Sequence, residues 1–157
     1  GAALKIRDAK YAAIVTALRS VKLKTNPLSL AERSFPNKLH HALEAHSASQ
    51  PLRAVILVGD ACEESPATLA SLAGRCAIKK IPLFLFQEGR DAHTRAIFEQ
   101  LAQLSHGAYA PFDASSADQL RTLLAAVSRF AQGGIAALRR SNTRGDRTLL
   151  SQLEKTP

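Results

Sequence analysis

Ala54-Val55-Ile56-Leu57-Val58-Gly59-Asp60 is the stretch whose reading decides the fold. Five consecutive apolar residues, Ala54 to Val58, three of them β-branched, predict a strand buried on both faces, as in a parallel sheet. The run ends in a glycine and a carboxylate and continues as Ala61-Cys62-Glu63-Glu64, where such a strand leaves the sheet. Ligands of open α/β sheets bind beyond the carboxyl ends of the strands. Asp60 is therefore the best-placed polar residue of the chain; the competing role is that of an aspartate opening a turn.

Downstream the pattern repeats. Ser65-Pro66 predicts a helix start, a capping hydroxyl followed by proline in the first turn, with Leu69, Leu72, Ala73 and Cys76 on the apolar side. Lys79 and Lys80 suit its carboxyl end. Ile81 to Phe86 is a second buried strand with its proline near the beginning, and it runs into Gln87-Glu88-Gly89-Arg90-Asp91. Asp91 is expected to cap a helix carrying Ile97, Leu101 and Leu104, which ends at His106-Gly107. Ala108 to Phe112 is a third strand, and Pro111 places it at an edge. Ser116 with Gln119 reads as a capping box before a helix bearing Leu120, Leu123, Leu124, Val127 and Ala131, broken at Gly133-Gly134. Strand and helix alternate with short connections, which implies a parallel sheet with right-handed crossovers.

Upstream, Asp8 is expected to cap a helix reaching Arg19, with Tyr11, Ile14, Val15 and Leu18 as its apolar stripe. Val21 to Lys24 alternates like a short edge strand protected by lysines. Residues 25–37 read as irregular, and Pro36 opens a helix that ends near Ser47. Its histidines, His40, His41 and His46, are adjacent or five or six apart, so they do not share a helix face as metal ligands must. The chain reads as one α/β domain over 1–140 with a polar tail over 141–157, which is expected to dock weakly or stay mobile.

The 157 residues carry a net charge of +8, unevenly placed. Residues 1–24 are net +5, residues 139–157 are net +3, and the middle is neutral. Basic ends suggest nucleic acid or an anionic surface as a partner, but no aromatic interleaving, Gly/Arg repeat or zinc-finger spacing accompanies them, so solvated ends are the preferred reading. No apolar run approaches the roughly 20 residues that cross a bilayer, and no signal-peptide core follows Gly1. Cys62 and Cys76 form no metal-spaced pair, so a reducing cytoplasm is expected. There is no glycine-rich dinucleotide or phosphate loop, no nucleophile elbow and no Cys–His pair at a recognisable spacing. Catalysis is therefore not expected.

Four motifs, in order and spacing, carry a resemblance: VILVGDACEE, IPLFLFQEG, FEQLAQLSHGAYAPFD and SADQLRTLLAAV. Together the segment 53–135 resembles the carboxyl-terminal half of a von Willebrand factor A domain, of a bacterial cytoplasmic type. The resemblance implies a Rossmann-like, three-layer α/β/α fold with a mainly parallel sheet. It implies a non-catalytic interaction domain, and a divalent cation such as magnesium held by hydroxyls and carboxylates of three loops, to which a partner protein adds a carboxylate. On this resemblance Asp60 matches the third-loop aspartate, and Ser34 is the nearest candidate for the second-loop hydroxyl, Thr25 a poorer one. The first loop, Asp-x-Ser-x-Ser, occurs nowhere in the chain, so the resemblance leads one to expect that the central strand that carries it is lacking. The sheet is therefore expected to have a slot beside 53–59, open to a partner strand, and metal binding is expected to be weak. Independently of the family, Asp60, Glu63, Glu64, Glu88 and Asp91 follow the ends of two neighbouring strands and form an acidic rim that attracts a cation or a basic partner. The competing role of Glu63, Glu64 and Asp91 is to start helices.

Overall fold

The computed structural model describes residues 14–19, 22–25, 52–59, 65–113, 115 and 117–154. Five strands, β1 (Ile14–Arg19), β2 (Lys22–Thr25), β3 (Leu52–Gly59), β4 (Leu83–Glu88) and β5 (Ala108–Phe112), form one sheet in the order β2-β1-β3-β4-β5. Among the described residues, four helices follow β3: α1 (Pro66–Ile78), α2 (Ala92–Ser105), α3 (Ala117–Ser141) and α4 (Arg144–Leu153). The result is a small α/β fold whose strands β3, β4 and β5 are all parallel.

Alternation along the strands explains the layers. Val55 and Leu57 of β3 and Leu83 and Leu85 of β4 point to one face, where Leu69, Leu72 and Cys76 of α1 and Ile97, Phe98 and Leu101 of α2 cover them. Ala54, Ile56, Val58, Phe84 and Phe86 point to the other, under Leu120, Leu123 and Val127 of α3 and Leu149 and Leu153 of α4. Residues 54–58 and 83–86 are fully buried, as the unbroken apolar runs require.

Local signals hold where they were strongest. Ser65 caps α1, its side chain accepting from the Thr68 N–H, with Pro66 in the first turn. Asp91 caps α2. Pro111 sits in edge strand β5. α3 is broken at Gly134, at φ 68° and ψ −161°. At the end of α2 the left-handed residue is His106 (φ 62°), not the glycine beside it. Gly107 is needed for another reason: a Cβ there would stand 1.8 Å from the Leu83 carbonyl oxygen, so only a bare Cα lets the chain enter β5 beside β4.

Four expectations are corrected. Ile14–Arg19 is a strand, not the end of a helix. Its first three residues, Ile14, Val15 and Thr16, are β-branched, and pairing with β2 on one side and β3 on the other outweighs a helical stripe that it shares with Tyr11. The slot beside β3 is consequently filled from within the chain: β1 lies antiparallel to β3, with Ile14 opposite Val58. The sheet is thus mixed, three parallel strands extended by two antiparallel ones, with β2 at the edge where the lysine-rich strand was expected. The second strand begins at Leu83, two residues later than the apolar run; Pro82 has no N–H to give and joins only through its carbonyl, which accepts the Val55 N–H at 3.1 Å.

The tail is the fourth correction. Arg144–Leu153 is a helix with a capping box, Thr143 and Asp146 each bonding the other's backbone N–H, and with Leu149 and Leu153 buried. The Gln119 side chain serves a turn, accepting the Asp113 N–H at 2.7 Å, while Ser116 lies outside the described residues. The same holds for the helix expected after Pro36 and its three histidines.

Candidate functional site

The carboxyl ends of the parallel strands come out level. Gly59 pairs with Gln87, Gln87 with Pro111, and Glu88 with Phe112, so β3, β4 and β5 end along one edge of the sheet. Of the sequence-derived site residues, Glu88 and Asp91 are on this edge. Asp60, Glu63, Glu64 and Ser34 lie outside the described residues.

Glu88 is the last residue of β4 and is only 9% exposed. The chain turns at Gly89, whose φ of +91° suits glycine and whose N–H donates to the Phe112 carbonyl at 3.1 Å, tying the β4 turn to the end of β5. Asp91 is exposed and structurally engaged. Its Oδ2 accepts the Thr94 N–H at 2.9 Å and the Thr94 hydroxyl at 2.8 Å. Those bonds, the backbone one first, hold its carboxyl below the usual range. The helix-starting role thus has direct support at Asp91.

Behind the rim stands a residue that the reading of the sequence passed over. Gln87 is fully buried. Its Oε1 accepts the Tyr109 hydroxyl at 2.6 Å, and its Nε2 donates to the Asp91 carbonyl at 3.0 Å. One amide therefore ties β4 to β5 and to the start of α2, and it fixes the loop that carries Arg90 and Asp91. Burial raises the Tyr109 pKa, and the Arg95 guanidinium lies 5.7 Å from the ring centroid. The hint in the sequence is an amide where the unbroken apolar run of β4 calls for another apolar residue. Asp113 closes the rim at the end of β5: it is exposed, and its carboxylate accepts the Ser115 N–H at 2.9 Å, which lowers its pKa.

The rim therefore offers carboxylates, a guanidinium at Arg90 and backbone groups, which bind by charge and hydrogen bonding. The metal ligands that the resemblance implies, Asp60 and Ser34, lie outside the described residues. Among the described residues, no group of three or more His, Cys, Asp or Glu side chains lies together as a metal site. The described cysteine, Cys76, is buried on α1 and its thiol is pushed up to about 11 by that burial, so it acts as a small apolar residue.

A concavity of about 470 Å³ opens where β5 meets α3 and α4, lined by Ala110, Pro111, Thr122, Leu123, Arg144 and Thr148 among others. The basic carboxyl-terminal region lies nearby. Its two acids are both engaged: Asp146 with Arg129 at 2.8 Å and Glu154 with Arg139 at 2.7 Å. Arg140, Arg144 and Arg147 are exposed. Among the described residues, no helix is long and apolar enough to cross a membrane.

Comparison of the chain with protein-family models, with curated proteins and with solved structures found no match.

Proposed function

We propose that this protein is a non-catalytic interaction domain of the von Willebrand factor A type, bacterial and cytoplasmic, that binds a partner protein at the carboxyl ends of β3, β4 and β5. The observation that carries the reading is the register Gly59–Gln87–Pro111, which brings the carboxyl ends of all three parallel strands to one edge. At those ends or just past them, the sequence carries Asp60, Glu63, Glu64, Glu88 and Asp91. An acidic edge on a chain of net charge +8 attracts a basic partner or a cation. In this reading a magnesium ion, held weakly by Asp60 and Ser34, joins the two.

Two measurements test it. A photo-reactive residue placed at Arg90, on the rim, is expected to cross-link one discrete protein in the native cell, and the same residue at Lys80, beyond the other end of the sheet, is not. Adducts at Lys80 alone overturn the docking edge. Calorimetric titration with Mg²⁺ or Mn²⁺ is expected to give heat that Asp60→Ala abolishes, and a silent wild type removes the metal from the reading.

A second reading, nucleic-acid or anionic-surface binding through the basic ends, is favoured by one observation: both acids of the 139–154 region are paired, which leaves Arg140, Arg144 and Arg147 as a net positive corner. Retention on a polyanion column should then fall with salt and fall further in Arg140→Ala/Arg144→Ala. Unchanged retention excludes it.

A further inference from the structure

Edge strand β5 ought to expose a row of unpaired backbone groups, ready to pair with another strand. Two features change that. Successive residues of a strand turn their N–H and C=O alternately to either side. The groups of Tyr109 face away from β4, toward α4, because its N–H donates to the Gln152 Oε1 at 2.7 Å and its C=O accepts from the Gln152 Nε2 at 2.5 Å. The next residue on that side is Pro111, which has no N–H to offer. The outward side of β5 thus has one complete donor–acceptor pair, and a side-chain amide occupies it. A carboxamide has the donor and acceptor of a peptide group, so Gln152 makes the two bonds that one residue of an antiparallel neighbour would make.

We propose that Gln152 is an intramolecular strand mimic that closes the β5 edge against pairing with β5 of a second copy of this chain. Two copies joined through that edge would run antiparallel about Tyr109, a self-complementary contact with two-fold symmetry. Leu149 and the Arg129–Asp146 pair hold the body of α4, so losing Gln152 frees only its last turn, which swings off β5 when a second strand pairs there. Gln152 sits one residue before the end of α4, where helices fray, so the guard is also the part of the contact that opens first. The inference does not depend on the strand-end rim.

Sedimentation velocity over a concentration series tests it, with hydrogen exchange at the Tyr109 amide alongside. In the wild type that amide is expected to be protected; exchange at the rate of a free peptide overturns the proposal directly. In Gln152→Ala the amide should exchange about tenfold faster in dilute solution, the factor matching one ordinary hydrogen bond. The weight-average mass should rise with concentration above that of the wild type, and protection at Tyr109 should return as it does. A cooperatively melting Gln152→Ala whose mass follows the wild type at every concentration refutes the guard. Gln152→Glu covers the case in which the alanine variant does not fold. A carboxylate keeps the acceptor but repels the Tyr109 carbonyl, whereas a protonated carboxyl restores the donor. Its association should therefore be strong at neutral pH and disappear below the ordinary glutamate pKa, and association independent of pH overturns the proposal.

Discussion

The two helix pairs that cover the sheet are held by different forces. α1 and α2 meet through apolar side chains, Leu69, Leu72, Ala73 and Cys76 on one and Ile97, Phe98, Leu101 and Ala102 on the other. α3 and α4 share an apolar base in Leu120, Leu123, Val127, Leu149 and Leu153, but they are also pinned by ion pairs. The Arg129 guanidinium donates to the Asp146 Oδ1 from Nε and Nη2, at 3.0 and 2.8 Å, and to the Thr143 hydroxyl at 3.2 Å. Arg139 pairs with Glu154 farther out. The first pair is a non-directional contact that tolerates repacking. The second is a directional one, in which Asp146 is completely buried and every partner must be in register. α3 and α4 are joined by only Asn142 and Thr143 and interrupted by a kink at Gly134, so the polar clamp supplies an orientation that burial alone would leave loose.

The largest effect should fall on the apolar pair. Phe98 is fully buried between α2 and β4, and Phe98→Ala should cost about 4 kcal/mol through lost transfer energy and a cavity. Urea denaturation is expected to show a lower midpoint with an unchanged slope.

Asp146→Asn should come next, at about 2–3 kcal/mol. It removes a charge-assisted cap and leaves Arg129, whose side chain is 32% exposed, to be solvated in part. Its signature is in the pH dependence. Burial pushes the Asp146 pKa up, but the Thr143 N–H, the Arg129 guanidinium and the Thr143 and Ser141 hydroxyls more than offset it, so the folded value lies below 3.8. A carboxyl whose pKa is lowered on folding stabilises the protein above its unfolded pKa, and that stabilisation is lost as pH falls through the folded value. Wild-type stability should therefore drop on acidification below about 4, and the asparagine variant should lose less over the same interval. Parallel curves would mean that the clamp contributes no titrating charge.

The same contrast explains what could be read in advance. Residues 65–113 announce their elements locally: Pro66 after Ser65, Asp91 before an apolar stripe and the unbroken run 83–86 need no distant information. β1 does not, because Ile14, Val15 and Leu18 suit a helix or a strand, and the choice is made by β3 nearly forty residues away. α4 was harder still. Its polar composition looks like a solvated tail until Asp146 meets Arg129 across 17 positions and Gln152 meets Tyr109 across 43. The rim was half legible. The level ends of β3 and β4 follow from the fold class, and both roles of Asp91 were visible, but only coordinates show its carboxylate bonded to Thr94. Gln87 stayed hidden because a buried amide is recognised by its partners, and those come from β5 and α2.

The smallest effects separate the two pairs most cleanly, because the same chemical change is made in each. Ser65 caps α1 with one bond to the Thr68 N–H at 3.5 Å, the outer limit of a hydrogen bond. Thr143 caps α4 by accepting the Asp146 N–H at 3.2 Å, and the same hydroxyl accepts from Arg129 of α3. Ser65→Ala should therefore cost about 0.5 kcal/mol, the low end for a lost cap, and Thr143→Ala about 1.5 kcal/mol. The second loss should shrink in an Asp146→Asn background, since the two residues share partners, while the first should be unchanged in that background. Thermal midpoints of the three single variants and the two double variants give the comparison. Equal losses at Ser65 and Thr143 would show that the cap of α4 works alone, and that the register of α3 and α4 is set by Leu149 and Leu153 instead.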